Sequence, residues 1–370
     1  MTSPTGSISG HHVLLEVEHL TVEFTTPQGV LRAVDDVSFT LDRGERLAIV
    51  GESGSGKSVM SMALMRMVAH PGRITSGSIT LEGRDVLGLS DADLRAVRGG
   101  DAAMVFQDPM TSLNPVARVS DQMVRPLRQH LGLTPEAARA RAVALLAATG
   151  IPDPERNVDA YPHELSGGMR QRVMIALAIS CEPSLLIADE PTTALDVTVQ
   201  AQIVEMLKRI AAGETATSIP RARWASTIDD RVQRTSVIFV THDMGLVAQF
   251  ADRVAVMYGG RIVESGPAAE IFADPRHPYT QGLLRSIPSI EGALPDRLAQ
   301  IPGVPPNLAA LGPGCSFAPR CPHSMRVCEE SVPALIPTGP ARDAACWLET
   351  AESPMTPATV PIRLEVAHVR

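Results

Sequence analysis

A glycine-rich loop between a buried strand and an apolar helix constrains the fold of this chain more than any other sequence feature. The apolar run from Leu47 to Val50 is typical of a strand covered on both faces. It leads directly into Gly51-Glu52-Ser53-Gly54-Ser55-Gly56-Lys57-Ser58. Glycines let backbone N–H groups converge on phosphates, the helix N-terminus adds positive potential, Lys57 supplies a point charge, and the Ser58 hydroxyl can bind Mg²⁺. The sequence therefore predicts a phosphate-binding loop.

Strand and helix signals alternate around this loop. Apolar residues near period 2, from Leu15 to Phe24 and from Val37 to Leu41, predict an antiparallel sheet at the start. Helical patterning runs from about 115 to 150, where Thr134 is a candidate N-cap. Further apolar strands, which indicate a parallel sheet, are expected at Leu185 to Ala188, Val237 to Val240 and Val254 to Tyr258.

These signals predict an α/β fold with a phosphate-loop nucleoside-triphosphatase core built on a RecA-like parallel sheet, an antiparallel β subdomain, an inserted helical subdomain and a loop-rich C-terminal appendage. We expect a nucleotide-binding domain at 13–275, with its helical subdomain at about 110–180. The appendage is expected at 276–350 and a largely disordered tail at 351–370. A stretch at 213–236 looks like a surface excursion with no function that the sequence reveals.

Composition narrows the possible partners of this 370-residue chain. The net charge of -8 leaves no basic excess for a nucleic acid backbone, and 3% aromatic residues make base-stacking platforms improbable. The N-terminus lacks the features of a signal peptide, and no apolar run reaches the roughly 18 residues of a membrane span. We therefore expect a cytosolic protein that binds no nucleic acid and acts at a membrane only through partners.

Two adjacent carboxylates end one of the predicted strands. Asp189 and Glu190 follow the apolar run Leu185 to Ala188, at the edge where an open α/β sheet presents its ligand site. Asp189 can hold Mg²⁺, directly or through water, and Glu190 can polarise the water that attacks a γ-phosphate.

A second candidate anion site lies about twenty residues before these carboxylates. Ser166, Gly167 and Gly168 precede a helical stretch, and a helix N-terminus can bind anions. Together with the phosphate loop and the carboxylate strand, this order of motifs resembles that of the ABC ATPases. The resemblance implies ATP hydrolysis, and it implies that the Ser166 motif of one subunit closes over the nucleotide of the other.

The resemblance also assigns roles to three single residues and one short segment outside these motifs. Gln107 resembles the residue that senses the γ-phosphate, contributes to Mg²⁺ binding and lies near the membrane subunits. The segment Ala194-Leu195-Asp196 resembles the loop that connects the two sites of the dimer. His242, after a core strand, resembles the switch histidine that reaches the γ-phosphate. Phe24 stands where the family stacks an aromatic ring on adenine. The alternative for Phe24 is packing in the hydrophobic core.

Other stretches resemble the ATPases of oligopeptide and dipeptide importers. These are VFQDPMTSLNP and the C-terminal HPYTQGLLRSIP, IPGVPP and GCSFAPRC. The resemblance implies two membrane permeases, a second ATPase that is identical or homologous, an extracytoplasmic peptide-binding protein, and a place at the cytoplasmic face of the inner membrane. Nickel or another solute is the alternative cargo, and a soluble ABC ATPase of DNA repair or translation is the alternative role.

Four of the five cysteines crowd into the appendage. The gaps between Cys315, Cys321, Cys328 and Cys346 are five, six and seventeen residues, wider than the short spacing usual in zinc sites. In a reducing cytosol such a group favours metal ligation over disulfides. The sequence therefore predicts a structural four-iron iron-sulfur cluster, with zinc as the main alternative and disulfides or free thiols as further ones.

Overall fold

The structure, a computed structural model, describes residues 13–27, 29–193, 195–214, 234–287 and 300–350. The predictions for Ala194, for most of the 213–236 stretch and for the tail at 351–370 lie outside these ranges. In the part of the chain that is described, no helix has the length and apolar content needed to cross a membrane.

The smaller of two β-sheets is antiparallel and carries the N-terminal residues. Its strand order is β2-β1-β4-β5. The apolar alternation of the first strand slips by one residue between Val17 and Leu20, and His19 adopts a positive φ of 51° there. This bulge keeps Leu15, Val17, Leu20 and Val22 on the buried face. The strands are β1 (Val13–Thr26), β2 (Gly29–Asp42), β4 (Gly72–Leu81) and β5 (Arg84–Asp85).

The larger sheet has a parallel centre and an antiparallel edge, in the order β11-β12-β10-β9-β3-β8-β7-β6. Parallel pairing joins β9, β3, β8, β7 and β6, whereas β10, β12 and β11 are added antiparallel. The strands are β3 (Arg46–Val50), β6 (Ala102–Val105), β7 (Leu185–Asp189), β8 (Ser236–Thr241), β9 (Arg253–Tyr258), β10 (Arg261–Pro267), β11 (Ile336–Gly339) and β12 (Arg342–Ala344).

Helices cover the larger sheet and form the inserted subdomain. Thr134 caps its helix as predicted, by accepting a hydrogen bond of 3.3 Å from the backbone N–H of Ala137. The α-helices are α1 (Lys57–Leu64), α2 (Asp91–Ala96), α3 (Pro109–Ser112), α4 (Val119–Leu131), α5 (Pro135–Ala148), α6 (Pro154–Asn157), α7 (Gly167–Ala178), α8 (Val197–Ala211), α9 (Met244–Phe250), α10 (Ala268–Ala273), α11 (Pro278–Arg285) and α12 (Arg326–Glu330).

The α/β fold class is confirmed, and the C-terminal appendage contains strand pairing that the loop-rich composition did not predict. Strand β12 pairs with β10 of the larger sheet, and β11 pairs with β12. The sheet therefore runs across the expected domain boundary at 275/276, while the division of the chain into domains remains a prediction.

A buried ion pair joins β10 to β12 at this edge of the sheet. The carboxylate of Glu264 is fully buried and lies 3.1 Å from Arg342 Nη2. It also accepts hydrogen bonds of 2.8 and 2.9 Å from the backbone N–H groups of Arg276 and His277. A buried charge is stable only when its partners satisfy it, so this group holds the edge strands to the loop before α11.

We predict that Glu264→Gln lowers the free energy of unfolding by about 3 kcal/mol, because it leaves the Arg342 guanidinium buried without its main counter-charge. Urea unfolding followed by circular dichroism measures the change. The matched control is Arg139→Gln, which breaks the solvent-exposed pair of Arg139 with Asp159 at 2.6 Å. The control substitution should lower the free energy of unfolding by less than about 1 kcal/mol. Equal losses of unfolding free energy in the two variants would contradict the prediction.

Candidate functional site

The candidate site lies where four neighbouring parallel strands end. The phosphate loop follows β3, Glu190 follows β7, His242 follows β8 and Gln107 follows β6. These strands are adjacent in the order β3-β8-β7-β6, so their carboxyl ends meet at one edge. Gly51 and His242 line the same cavity there, although 191 positions separate them in the sequence.

Lys57 is the buried cation of this site. Its Nζ donates to the carbonyl oxygens of Gly51 at 2.7 Å and Glu52 at 3.0 Å, and lies 4.0 Å from Glu190 Oε1. Burial lowers the pKa of the lysine, and the nearby carboxylates of Glu190 and Asp189 act in the opposite direction. The ammonium group is therefore little hydrated, and anionic oxygens in the cavity would be attracted to it strongly.

Ser58 and Asp189, which the sequence predicts as Mg²⁺ ligands, are in direct contact. The Ser58 hydroxyl donates to Asp189 Oδ1 at 3.0 Å. Burial raises the pKa of Asp189 to about 6, while the Ser58 hydrogen bond lowers it. A hydroxyl and a carboxylate are oxygen ligands of the kind that Mg²⁺ prefers, and a cation bound here would stabilise the ionised carboxylate.

Glu190 is the most highly connected carboxylate of the site. Its Oε2 accepts hydrogen bonds from Gln107 Nε2 at 3.1 Å and from Thr193 Oγ1 at 3.0 Å. Its Oε1 lies 3.5 Å from His242 Nδ1. The hydrogen bond with His242 holds the pKa of Glu190 below its usual range and raises the pKa of His242. Glu190 is therefore ionised at neutral pH and available as a base.

A cavity of about 1060 Å³, large enough for a nucleotide, is lined by Lys57, Ser58, Gln107, Glu190 and His242. Phe24 lines it at the end of β1, where its ring packs against Gly72. Ser53 and Gly54 of the loop also line the cavity, whereas Ser55 is buried. The lysine, the hydroxyl with its bonded carboxylate, and the apolar wall fit a Mg²⁺-bound nucleoside triphosphate.

Gly56 shows why the loop needs glycine before the helix. It adopts a φ of +101°, and a Cβ placed there would lie 2.2 Å from the backbone oxygen of Ala33. Any other side chain would force the loop away from β2 and move the N-terminus of α1, which begins at Lys57.

Ser166, Gly167, Gly168 and Asp196 lie outside this cavity. Ser166 is exposed and caps α7 by accepting from the backbone N–H of Met169 at 3.3 Å. Asp196 is also exposed and caps α8 by accepting from Val199 N–H at 2.9 Å. Both motifs therefore present helix N-termini to the surface of the subunit.

The predicted iron-sulfur cluster is wrong, and the zinc alternative fails with it. Among the described residues, which include all four cysteines of the appendage, no group of three or more His, Cys, Asp or Glu side chains could hold a metal ion. Burial raises the pKa of the Cys315 thiol. It also raises the pKa of Cys321 to about 11 and the pKa of Cys346 to about 12. Cys328 and Cys346 are buried, and Cys315 and Cys321 are half-buried against an apolar cluster.

The sequence did not reveal the roles that three residues, Thr193, Glu52 and Arg320, have at the site. Thr193 donates to Glu190, and Glu52 forms an ion pair with Arg320 of the appendage at 2.5 Å. Position within the glycine-rich loop marked Glu52, but no spacing rule connects it with a residue 268 positions away.

Comparison with known proteins agrees with this geometry. Residues 34–193 match the family model described as ABC transporter, and residues 263–328 match the oligopeptide/dipeptide transporter C-terminal region. The dimeric structure of a bacterial ABC transporter cassette is similar to this chain with a TM-score of 0.57 and 25% identity, over 69% of this chain and 99% of that one.

Two curated relatives match almost the whole chain. The oligopeptide transport ATP-binding protein OppD of Bacillus subtilis is 48% identical over 92% of this chain and 90% of its own length. OppD of Salmonella typhimurium is 47% identical over 91% of this chain and 94% of its own length. With a cavity built for a triphosphate and relatives this similar, the chain belongs to the ABC transporter family, in the group of the oligopeptide and dipeptide transport ATP-binding proteins.

Proposed function

We propose that this chain is the ATP-hydrolysing subunit of a peptide importer, and that it dimerises around two ATP molecules to drive a conformational change in permeases. The observation that carries this proposal is that Lys57, Ser58 and Glu190 line one nucleotide-sized cavity, with Asp189 bonded to the Ser58 hydroxyl. Relatives that are named as oligopeptide and dipeptide transport ATP-binding proteins support peptide as the cargo.

The phosphate loop holds the nucleotide in this proposal. Backbone N–H groups from Gly51 to Gly56 surround the phosphates, and Lys57 exchanges its two carbonyl contacts for phosphate oxygens. Ser58, Asp189 and Gln107 would hold Mg²⁺, which when bound offsets negative charge on the phosphates. Phe24 stacks against adenine at the apolar end of the cavity.

Glu190 polarises the attacking water. Its ionised carboxylate accepts a proton from the water as the oxygen approaches the γ-phosphate, while Thr193 and Gln107 fix its orientation by hydrogen bonds. His242, held by Glu190, donates to the γ-phosphate. In-line attack of the water on the γ-phosphate depends on this positioning, because the reaction leaves little covalent chemistry for the protein to perform.

The second half of each site comes from a second ATPase subunit, identical or homologous. Ser166, Gly167 and Gly168 at the N-terminus of α7 would contact the γ-phosphate held by the opposite subunit, and Asp196 would lie near the dimer axis. Ser166, Gly167 and Asp196 are exposed, and all four residues are separate from the cavity of their own subunit, which supports this arrangement.

The complex that uses this ATPase contains two membrane permeases and receives peptide from an extracytoplasmic binding protein. The chain would dock on the permeases at the cytoplasmic face of the membrane, with the region around Gln107 as the contact. Gln107 suits a coupling role because it is exposed and also bonded to Glu190, so movement at its loop changes the position of the base.

We predict that Glu190→Gln abolishes most turnover while ATP binding persists. The amide cannot accept the proton of the water, and Lys57, Ser58 and Asp189 are unchanged. Turnover, measured as phosphate release, should fall on the order of a hundredfold or more. The Kd for ATP, measured by calorimetry, should change by less than about twofold, which is well below the tenfold change that corresponds to about 1.4 kcal/mol.

Glu205→Gln is the matched control for this measurement. Glu205 lies on α8 with 64% of its side chain exposed, and in the described residues its ion pair is with Lys208 at 3.7 Å. Its substitution should leave both turnover and binding unchanged. Near-normal phosphate release by Glu190→Gln would contradict the assignment of Glu190 as the base.

We predict that Ser166→Arg damages the nucleotide site of the opposite subunit. In mixed dimers that carry this substitution in one subunit only, the bulky cation blocks approach to the nucleotide bound by the unsubstituted partner. Adding Lys57→Ala to one subunit or the other identifies which site still works. Damage confined to the substituted subunit's own cavity would contradict the prediction.

A further inference from the structure

Arg320 connects the C-terminal appendage to the phosphate loop. Its guanidinium forms a two-pronged ion pair with Glu52, from Nη1 to Oε2 at 2.5 Å and from Nη2 to Oε1 at 3.0 Å. The arginine side chain is only 6% exposed and that of Glu52 is 24% exposed. Parallel N–H···O bonds in a poorly hydrated setting give this pair a defined geometry as well as attraction.

Glu52 is held at its backbone as well as at its side chain. Its N–H donates to Tyr279 Oη at 2.7 Å, and its carbonyl oxygen accepts from Lys57 Nζ at 3.0 Å. Tyr279 itself packs against Tyr258 and Phe317, with ring centroids 4.5 and 5.4 Å away. The second residue of the phosphate loop is thus positioned by side chains from the C-terminal third of the chain.

The same guanidinium holds one wall of the cavity. Arg320 Nε donates to the carbonyl oxygen of Pro302 at 2.8 Å, and Nη2 donates to that of Ile301 at 3.4 Å. Ile301, Gly303 and Leu308 line the cavity that Lys57 also lines. One side chain therefore sets the distance between the phosphate loop and the segment at 300–308.

The negative charge of Glu52 gives the Glu52–Arg320 pair a second effect, on the electrostatics of the cavity. Glu52 lines the cavity beside the position that phosphates would occupy, and an unpaired carboxylate there would repel them. Arg320 neutralises that carboxylate. Loss of the arginine would therefore weaken nucleotide binding both by releasing the loop and by exposing a like charge.

We propose that Arg320 is a positioning residue for ATP, which acts through Glu52 to hold the phosphate loop and the 300–308 wall together and to cancel the charge of Glu52. The appendage is thereby part of the nucleotide site. This inference rests on the proposed function, since it takes ATP as the occupant of the cavity.

The test compares ATP binding by the full-length protein and its Arg320→Gln, Arg320→Lys and Arg320→Gln/Glu52→Gln variants, with calorimetric Kd and kcat as readouts. Arg320→Gln should raise the Kd about tenfold, in the range of coupled neighbouring residues, with kcat at saturating ATP little changed. Arg320→Lys should have a smaller effect because the charge remains. The double variant should recover much of the affinity because the unpaired carboxylate is gone.

Arg342→Gln is the matched control. Arg342 is also an arginine of the C-terminal region, 5% exposed and paired with a buried glutamate, but neither member of its pair lines the cavity. It should lower the unfolding midpoint and leave the Kd unchanged. Equal weakening by Arg342→Gln, or unchanged affinity in both Arg320 variants, would overturn the positioning role alone. Failure of the unsubstituted protein to bind ATP would overturn the proposed function as well.

Discussion

Parallel pairing of β3, β8, β7 and β6 is the constraint on which the site depends. Each strand is buried and short, and each ends at the same edge with a polar residue or a loop directly after it. The backbone ladder thus places Lys57, Glu190, Gln107 and His242 around one cavity although long segments separate them. Because the sheet centre is rigid, the spacing between the phosphate loop and the carboxylates is fixed before any ligand arrives.

Opposed electrostatic effects at this edge give the two neighbouring carboxylates different properties. Burial raises the pKa of Asp189 to about 6, although the hydrogen bond from Ser58 acts in the opposite direction. Glu190 is half-buried and lies beside His242, so its pKa is lowered. The first is suited to a cation that would compensate for its burial, and the second to remaining an ionised base. Adjacent residues of one type thereby take different roles through their environments.

The C-terminal appendage is bound to the core more closely than its proline and glycine content indicates. Strand β12 extends the larger sheet, Glu264 and Arg342 form a buried pair across that junction, and Arg320 reaches the phosphate loop. Two of its cysteines, Cys328 and Cys346, are buried, Cys315 and Cys321 are half-buried, and in the described residues they do not form a metal site. Strand pairing and the two ion pairs hold the appendage against the core, and this also brings it to the nucleotide cavity.

Local patterns in the sequence determined the phosphate loop, the carboxylate strand, the helix caps at Thr134 and Ser166, and the α/β class. Each of these depends on residues within a few positions of one another, where backbone geometry alone decides which atoms meet. The bulge at His19, the pairing of β12 with β10 and the pair of Glu52 with Arg320 were decided by tertiary structure. The cysteine spacing was misleading because metal ligation depends on how the packed chain orients the side chains, which no local spacing records.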